Sequence, residues 1–181
     1  MKEIYVLLAE YNAHANGLLF GVLEKAPAGL VTKDAGSFFG SILGLLNHIL
    51  RSDLGWLSRI GSSQPGLRSL AGVAASFDPA TAPRQLCDNL ADLWKRRREV
   101  DGAFGAFAAE LSDGVLKGDV RFVNSKGEQE SFVIGEILLH LFNHQTHHRG
   151  QVSQILDAAG IQHDFSNISS VLRLRRSKSR P

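Results

Sequence analysis

Four stretches of this chain place apolar residues at intervals of three and four, the spacing that lines one face of an α-helix, and glycine, proline or polar residues separate them. The first, from about Lys2 to Lys25, repeats Ile4, Leu7, Leu8, Tyr11, Leu18, Leu19 and Val22 and stops at Ala26-Pro27-Ala28-Gly29. The second starts near Gly36-Ser37 and reaches Ile60. Its stripe is Ile42, Leu46, Ile49, Trp56 and Ile60, and further leucines make it apolar most of the way round, as in the middle of a bundle. The third, from about Pro83 to Ser112, is the most regular, with Leu86, Leu90, Leu93, Val100, Phe104, Phe107 and Leu111 forming a seam. Pro83 suits its first helical position. The fourth runs from about Val133 to Ala159 and is stopped by Gly160.

Two connections stand out. Residues Gly61 to Ala82 form the longest stretch expected to be irregular, and Asp119 to Phe132 holds two alternating runs around Asn124-Ser125-Lys126-Gly127, which predicts a small β-hairpin. The pattern predicts an all-α fold, a four-helix bundle with one long crossover and a hairpin before the last helix.

Charge divides this bundle from the C-terminal segment. The net charge is +2, but Arg173, Arg175, Arg176, Lys178 and Arg180 lie in the last nine residues; without them 15 basic residues face 18 acidic ones. Residues 1–172 are therefore read as the bundle domain and 173–181 as a basic, disordered tail. A nucleic-acid-binding domain would carry its positive charge on a folded face, so nucleic acid is disfavoured as a partner. A single cysteine, Cys87, excludes an internal disulfide and reads as a small packed residue. No apolar run nears the ~20 residues of a membrane span and the N-terminus lacks a signal-peptide pattern, so a cytoplasmic location is expected.

Polar residues that interrupt the seams carry the functional information, because burying them costs free energy unless something compensates. On the fourth helix the core stripe passes from Ile134, Ile137 and Leu141 to His144 and His148, then to Val152 and Ile155. Residues four apart sit about 40° apart around the axis and about 6 Å apart along it, so two imidazoles can converge on one ion. His140 extends this row by a turn, and His147 points elsewhere. A third ligand must come from another helix, and His48, set among aliphatic residues, is the candidate on the second. A lone histidine on an apolar face is usually a satisfied core residue; the paired spacing together with His48 favours a metal site. Three neutral nitrogens would leave coordination positions open.

Several residues could orient these imidazoles by accepting the other ring N–H: Asn47, Asp53, Asn143 or Gln151. Asp53 is equally a partner for Arg97, which stands in the third seam where a leucine is expected. Arg97 either pairs with such an acid or binds an anionic substrate, and Arg149 either holds a carboxylate at a site mouth or is solvated.

Tyr11-Asn12 with Asn16, Asn47-His48 with Asp53 and Trp56, Arg97 with Asp101, and Asn143-His144-Gln-Thr-His-His148-Arg-Gly-Gln151 together resemble the DinB-like family, up to about Asp164. The His-Arg-Gly-Gln end is the most specific part. The resemblance implies an up-down-down-up bundle, a homodimer, and one divalent ion, often zinc or nickel, held by His48, His144 and His148. Some members are thiol-dependent S-transferases or isomerases that use bacillithiol, mycothiol or glutathione; others have no known activity. The expected function is a metal-dependent thiol S-transferase acting on a small molecule. A metal-dependent hydrolase and a non-catalytic metal-binding stress-response protein are the alternatives.

Overall fold

The computed structural model describes residues 1–124 and 126–178. Four long helices dominate it: α1 (Lys2–Leu23), α2 (Ile42–Ser63), α4 (Leu90–Glu110) and α6 (Ile134–Ala158). Shorter helices α3 (Ala71–Ser76), α5 (Asp113–Lys117) and α7 (Ser169–Lys178) fill the connections and the end, and a 3-10 turn spans Arg68–Leu70. Strands β1 (Asp119–Val123) and β2 (Gln129–Val133) form an antiparallel hairpin with Asp119 opposite Val133 and Val123 opposite Gln129. Among the long helices the principal contacts are α1 with α4, α4 with α2, α2 with α6, and α6 with α1. No helix among the described residues is long and apolar enough to cross a membrane.

Local chemistry moves several helix ends from where periodicity puts them. Gly36 and Gly40 adopt φ of 65° and 75°, left-handed values that turn the chain before the second helix. That helix starts at Ile42 because the Ser41 hydroxyl caps it, accepting the Gly44 N–H at 3.1 Å. The third helix starts at Leu90, not at Pro83, because Asn89 takes the N-cap and accepts the Asp92 N–H at 2.9 Å. The expected irregular stretch carries the 3-10 turn and α3, which pack so close that a Cβ on Gly61 would meet the Leu70 and Ala74 side chains at 3.0 Å.

The inward face of α1 is also rotated from the expected stripe. Ala9, Tyr11, Asn12, Ala15, Asn16, Leu19, Phe20 and Leu23 are buried, whereas Ile4 and Leu18 are exposed. Two asparagines thus take core positions that an apolar count passes over.

The basic end differs from expectation too. Helix α7 lies on α1, with Val171 packed beside Tyr11 and Ala15, and Arg175 Nε meets Glu10 Oε2 at 2.6 Å. Residues 173–178 are therefore helical where a disordered tail is expected; Arg180 lies outside the described residues.

Asn47 shows how a polar core residue can replace secondary structure. Its Oδ1 accepts the N–H groups of Leu86 and Cys87 at 2.8 and 2.9 Å, and its Nδ2 donates to the carbonyls of Cys87 and Leu43, each at 3.0 Å. It staples the irregular segment before α4 onto α2, and its side-chain hydrogen bonds go to that segment and to Leu43, none to a histidine. Asn47→Ala leaves buried amide groups without partners and is expected to lower unfolding free energy by about 2–4 kcal/mol, measured by urea denaturation.

Candidate metal centre

Antiparallel register between α2 and α6 brings His48 opposite the His144–His148 pair. His48 Nε2 lies 2.9 Å from His144 Nε2, and His148 Nε2 lies 3.0 Å from the same atom. The ligating atoms of all three fall within 4.8 Å of one another. Three nitrogens of one kind converge, and each short contact has room for a single proton between its pair. Zinc–imidazole bonds of ~2.0–2.1 Å put tetrahedral ligand nitrogens about 3.3 Å apart, so small side-chain shifts would let one ion sit between them. The donor set fits a divalent ion.

Electrostatics favour the same form. Burial, then the neighbouring His148 and Arg51, lowers the His48 pKa to about 4. Burial and the other histidines lower that of His144 to about 3, and burial also lowers that of His148. At neutral pH the rings are uncharged, and the neutral imidazole is the one that ligates metal.

The surroundings orient two of the rings. His148 Nδ1 lies 2.6 Å from Gln151 Oε1; with the amide oxygen accepting, the proton is held at Nδ1 and the Nε2 lone pair faces the other histidines. Phe39 stacks on His48 with ring centroids 4.1 Å apart and meets His148 edge-on at 5.4 Å, closing one side. Periodicity alone reads the Gly36–Gly40 turn that carries Phe39 as helix and so misses this wall; the two glycines bracketing two phenylalanines are the signal for it. Gly44 seats the turn, since a Cβ there would lie 2.0 Å from the Phe39 carbonyl oxygen.

The remaining sequence candidates divide by position. His140 is exposed, with its ring 5.7 Å from that of His144 and 6.2 Å from that of Trp56. Asp53 and Arg97 lie deep in the core, with Arg97 Nη1 bound to Asp53 Oδ2 and Nη2 2.9 Å from Asp101 Oδ1. Arg149 is only 3% exposed and sits at no mouth; its Nη1 donates to Asn12 Oδ1, with Asn16 Oδ1 and Gln145 Oε1 each at 3.3 Å. The Asn16 amide donates in turn to both oxygens of Asp101 at 3.1 Å. A buried polar layer thus crosses all four long helices, beside the histidines and with two guanidiniums balancing two carboxylates. Gln145 belongs to it, and sequence reasoning passes it over; its signal is the four-residue step from Leu141 to Gln145 to Arg149 on the inward face.

A helical protein with three convergent imidazoles and a partner holding one ring in its ligating tautomer defines a class, that of proteins with a helix-borne site able to hold a metal ion. Comparison with known proteins gives the family. The model of the DinB family matches residues 1–172, and the chain belongs to that family. It is 27% identical over 160 residues to Protein DinB of Bacillus subtilis (strain 168), covering 88% of each chain. No solved structure matches the chain.

Gln151→Leu removes the acceptor on His148 and is expected to weaken zinc or nickel binding by about 10–100-fold with the helical content unchanged, as read by calorimetry and circular dichroism. Gly44→Ala forces the Phe39 turn away from His48; an unfolding free energy lower by about 1–3 kcal/mol is expected in chemical denaturation.

Proposed function

We propose that the chain is a divalent-metal-dependent thiol S-transferase built on a four-helix bundle in up-down-down-up order. Cross-helix contacts support that order. Lys2 with Ala109 and Phe20 with Trp94 make α1 and α4 antiparallel. Asp53 with Arg97, and Asn47 with Cys87 just before α4, fit α2 running parallel to α4. His48 with His144 and Trp56 with His140 set α2 against α6.

His48, His144 and His148 would hold one ion, zinc or nickel by the affinity of imidazole for both. When bound, such an ion lowers the pKa of a coordinated thiol so that thiolate is available near neutral pH. The chain's own residues supply the rest. Three imidazoles leave coordination positions for a small thiol, Gln151 fixes the His148 tautomer, and Phe39 keeps water from one flank. The convergence of the three Nε2 atoms carries this reading. Cys87 supports it, since burial pushes its thiol pKa up and leaves it a poor nucleophile.

A homodimer fits the apolar side chains exposed on α1 and α7, namely Ile4, Leu18, Leu172 and Leu174. The test begins with elemental analysis of protein purified without a metal-binding tag. Glutathione, bacillithiol and mycothiol are then each offered with chlorodinitrobenzene. The metal-loaded protein is expected to accelerate conjugation with one of them, and His148→Ala to return the rate to background. Hydrolysis of nitrophenyl esters without conjugation would replace transferase by hydrolase. Neither activity, with a large drop in Tm on metal removal, would leave a non-catalytic metal-binding protein.

A further inference from the structure

The hairpin packs its aromatic residues against α2, where they form a cluster with Trp56 and Arg59. Phe122 of β1 and Phe132 of β2 stack with centroids 6.0 Å apart. Trp56 of α2 meets both edge-on, at 5.3 and 6.1 Å. The guanidinium of Arg59, one helical turn beyond Trp56, lies 4.2 Å from the Phe122 centroid and 5.0 Å from that of Trp56. His140 then joins Trp56 to His144, so ring contacts lead without a break from Arg59 to the metal centre.

Arg59 is the charged group of this cluster. It is half-buried, and its aromatic contacts use none of its five N–H donors, which have no hydrogen bond or ion pair among the described residues. Arg51 adds a like charge nearby while its own donors are committed to the carbonyls of Pro79, Ala82 and Pro83. Glu130 offsets part of this positive potential, but its Oε1 accepts the Asn124 amide at 2.6 Å. A guanidinium resting on rings with its donors open suits a planar anion, which it grips through paired hydrogen bonds. Next to it, Phe132 is 38% exposed and His140 is exposed, so the aromatic surface is reachable from solvent.

We propose that Arg59, Trp56, Phe122, Phe132 and His140 form a subsite for a carboxylate carried on an apolar or aromatic body. The carboxylate pairs with Arg59, the body lies against Trp56 and Phe132, and the far end points past His140 toward His48, His144 and His148. Along α2, Arg59 and His48 are about 16 Å apart at 1.5 Å per residue. A substrate acid of two or three linked units bridges it. That orientation rests on the proposed function; binding at Arg59 does not.

The test uses the full-length, metal-free protein and benzoate as probe, with benzamide as its uncharged counterpart, followed by calorimetry and by Trp56 fluorescence in a Trp94→Phe background. Benzoate is expected to bind saturably and benzamide about tenfold more weakly. Arg59→Met is expected to bring benzoate down to the benzamide level, and Arg59→Lys to keep part of the preference. Zinc or nickel affinity is expected to be the same in Arg59→Met as in the parent. Equal binding of the two probes, no benzoate binding, or an unchanged benzoate affinity in Arg59→Met would overturn the subsite. The probe comparison on the parent protein decides the matter even if Arg59→Met does not fold. Metal binding that fails while the benzoate preference persists would remove the proposed function and leave the subsite standing.

Discussion

A charge inside a protein must find a partner or return to water, and this molecule is organised around two guanidiniums that do neither cheaply. Arg97 and Arg149 are each 3% exposed and stand where seams of aliphatic residues would otherwise meet. Their partners come from every long helix: Asp53 from α2, Asp101 from α4, Asn12 and Asn16 from α1, and Gln145 from α6. Leucines could slide past one another by a turn and lose little. A layer of directional contacts cannot, because a one-turn slip would leave a buried charge unpaired at a cost of several kcal/mol. The layer ties α2 to α4 through Asp53 and Arg97 and α6 to α1 through Arg149 and the two asparagines, while His48 meets His144 and His148 across the α2–α6 contact.

The two polar systems share one helix without competing for space. On α6, Gln145 and Arg149 face the core layer while His144 and His148, one position earlier in each case, face α2. A step of one residue rotates a helix by about 100°, enough to aim one pair at the interior and the other at a half-exposed flank. The interior pair joins the buried layer, and the flanking pair meets His48, with His148 only 6% exposed. Aromatic rings flank the histidines on two sides, Phe39 stacked on His48 and Trp56 against His140.

Much of the site is legible in the sequence because its spacing is local. An i, i+4 histidine pair in a helical seam has its geometry set by the helix alone, and His48 stands out by its aliphatic context. The Arg97–Asp53 pairing is one of two readings that the sequence leaves open, since two inward polar groups on different helices can meet only if those helices are neighbours. The roles of Asn47 and Arg149 are not legible. Asn47 sits next to His48 in sequence yet points a different way around α2, onto the chain before α4. Arg149 succeeds His148 in the chain and is turned inward by the same rotation that leaves the histidines on the flank.

By itself, the sequence determined the helical periodicity, the hairpin, the histidines able to share an ion, and membership in a family with that pattern. Tertiary structure decided which asparagines and glutamine enter the core, where capping by Ser41 and Asn89 overrides apolar periodicity, and that the basic C-terminal segment packs on α1. The reason is physical. Periodicity and spacing are properties of one helix, whereas burial, ion pairing and the meeting of His48 with His144 depend on the relative rotation of separate helices, which only their packing fixes.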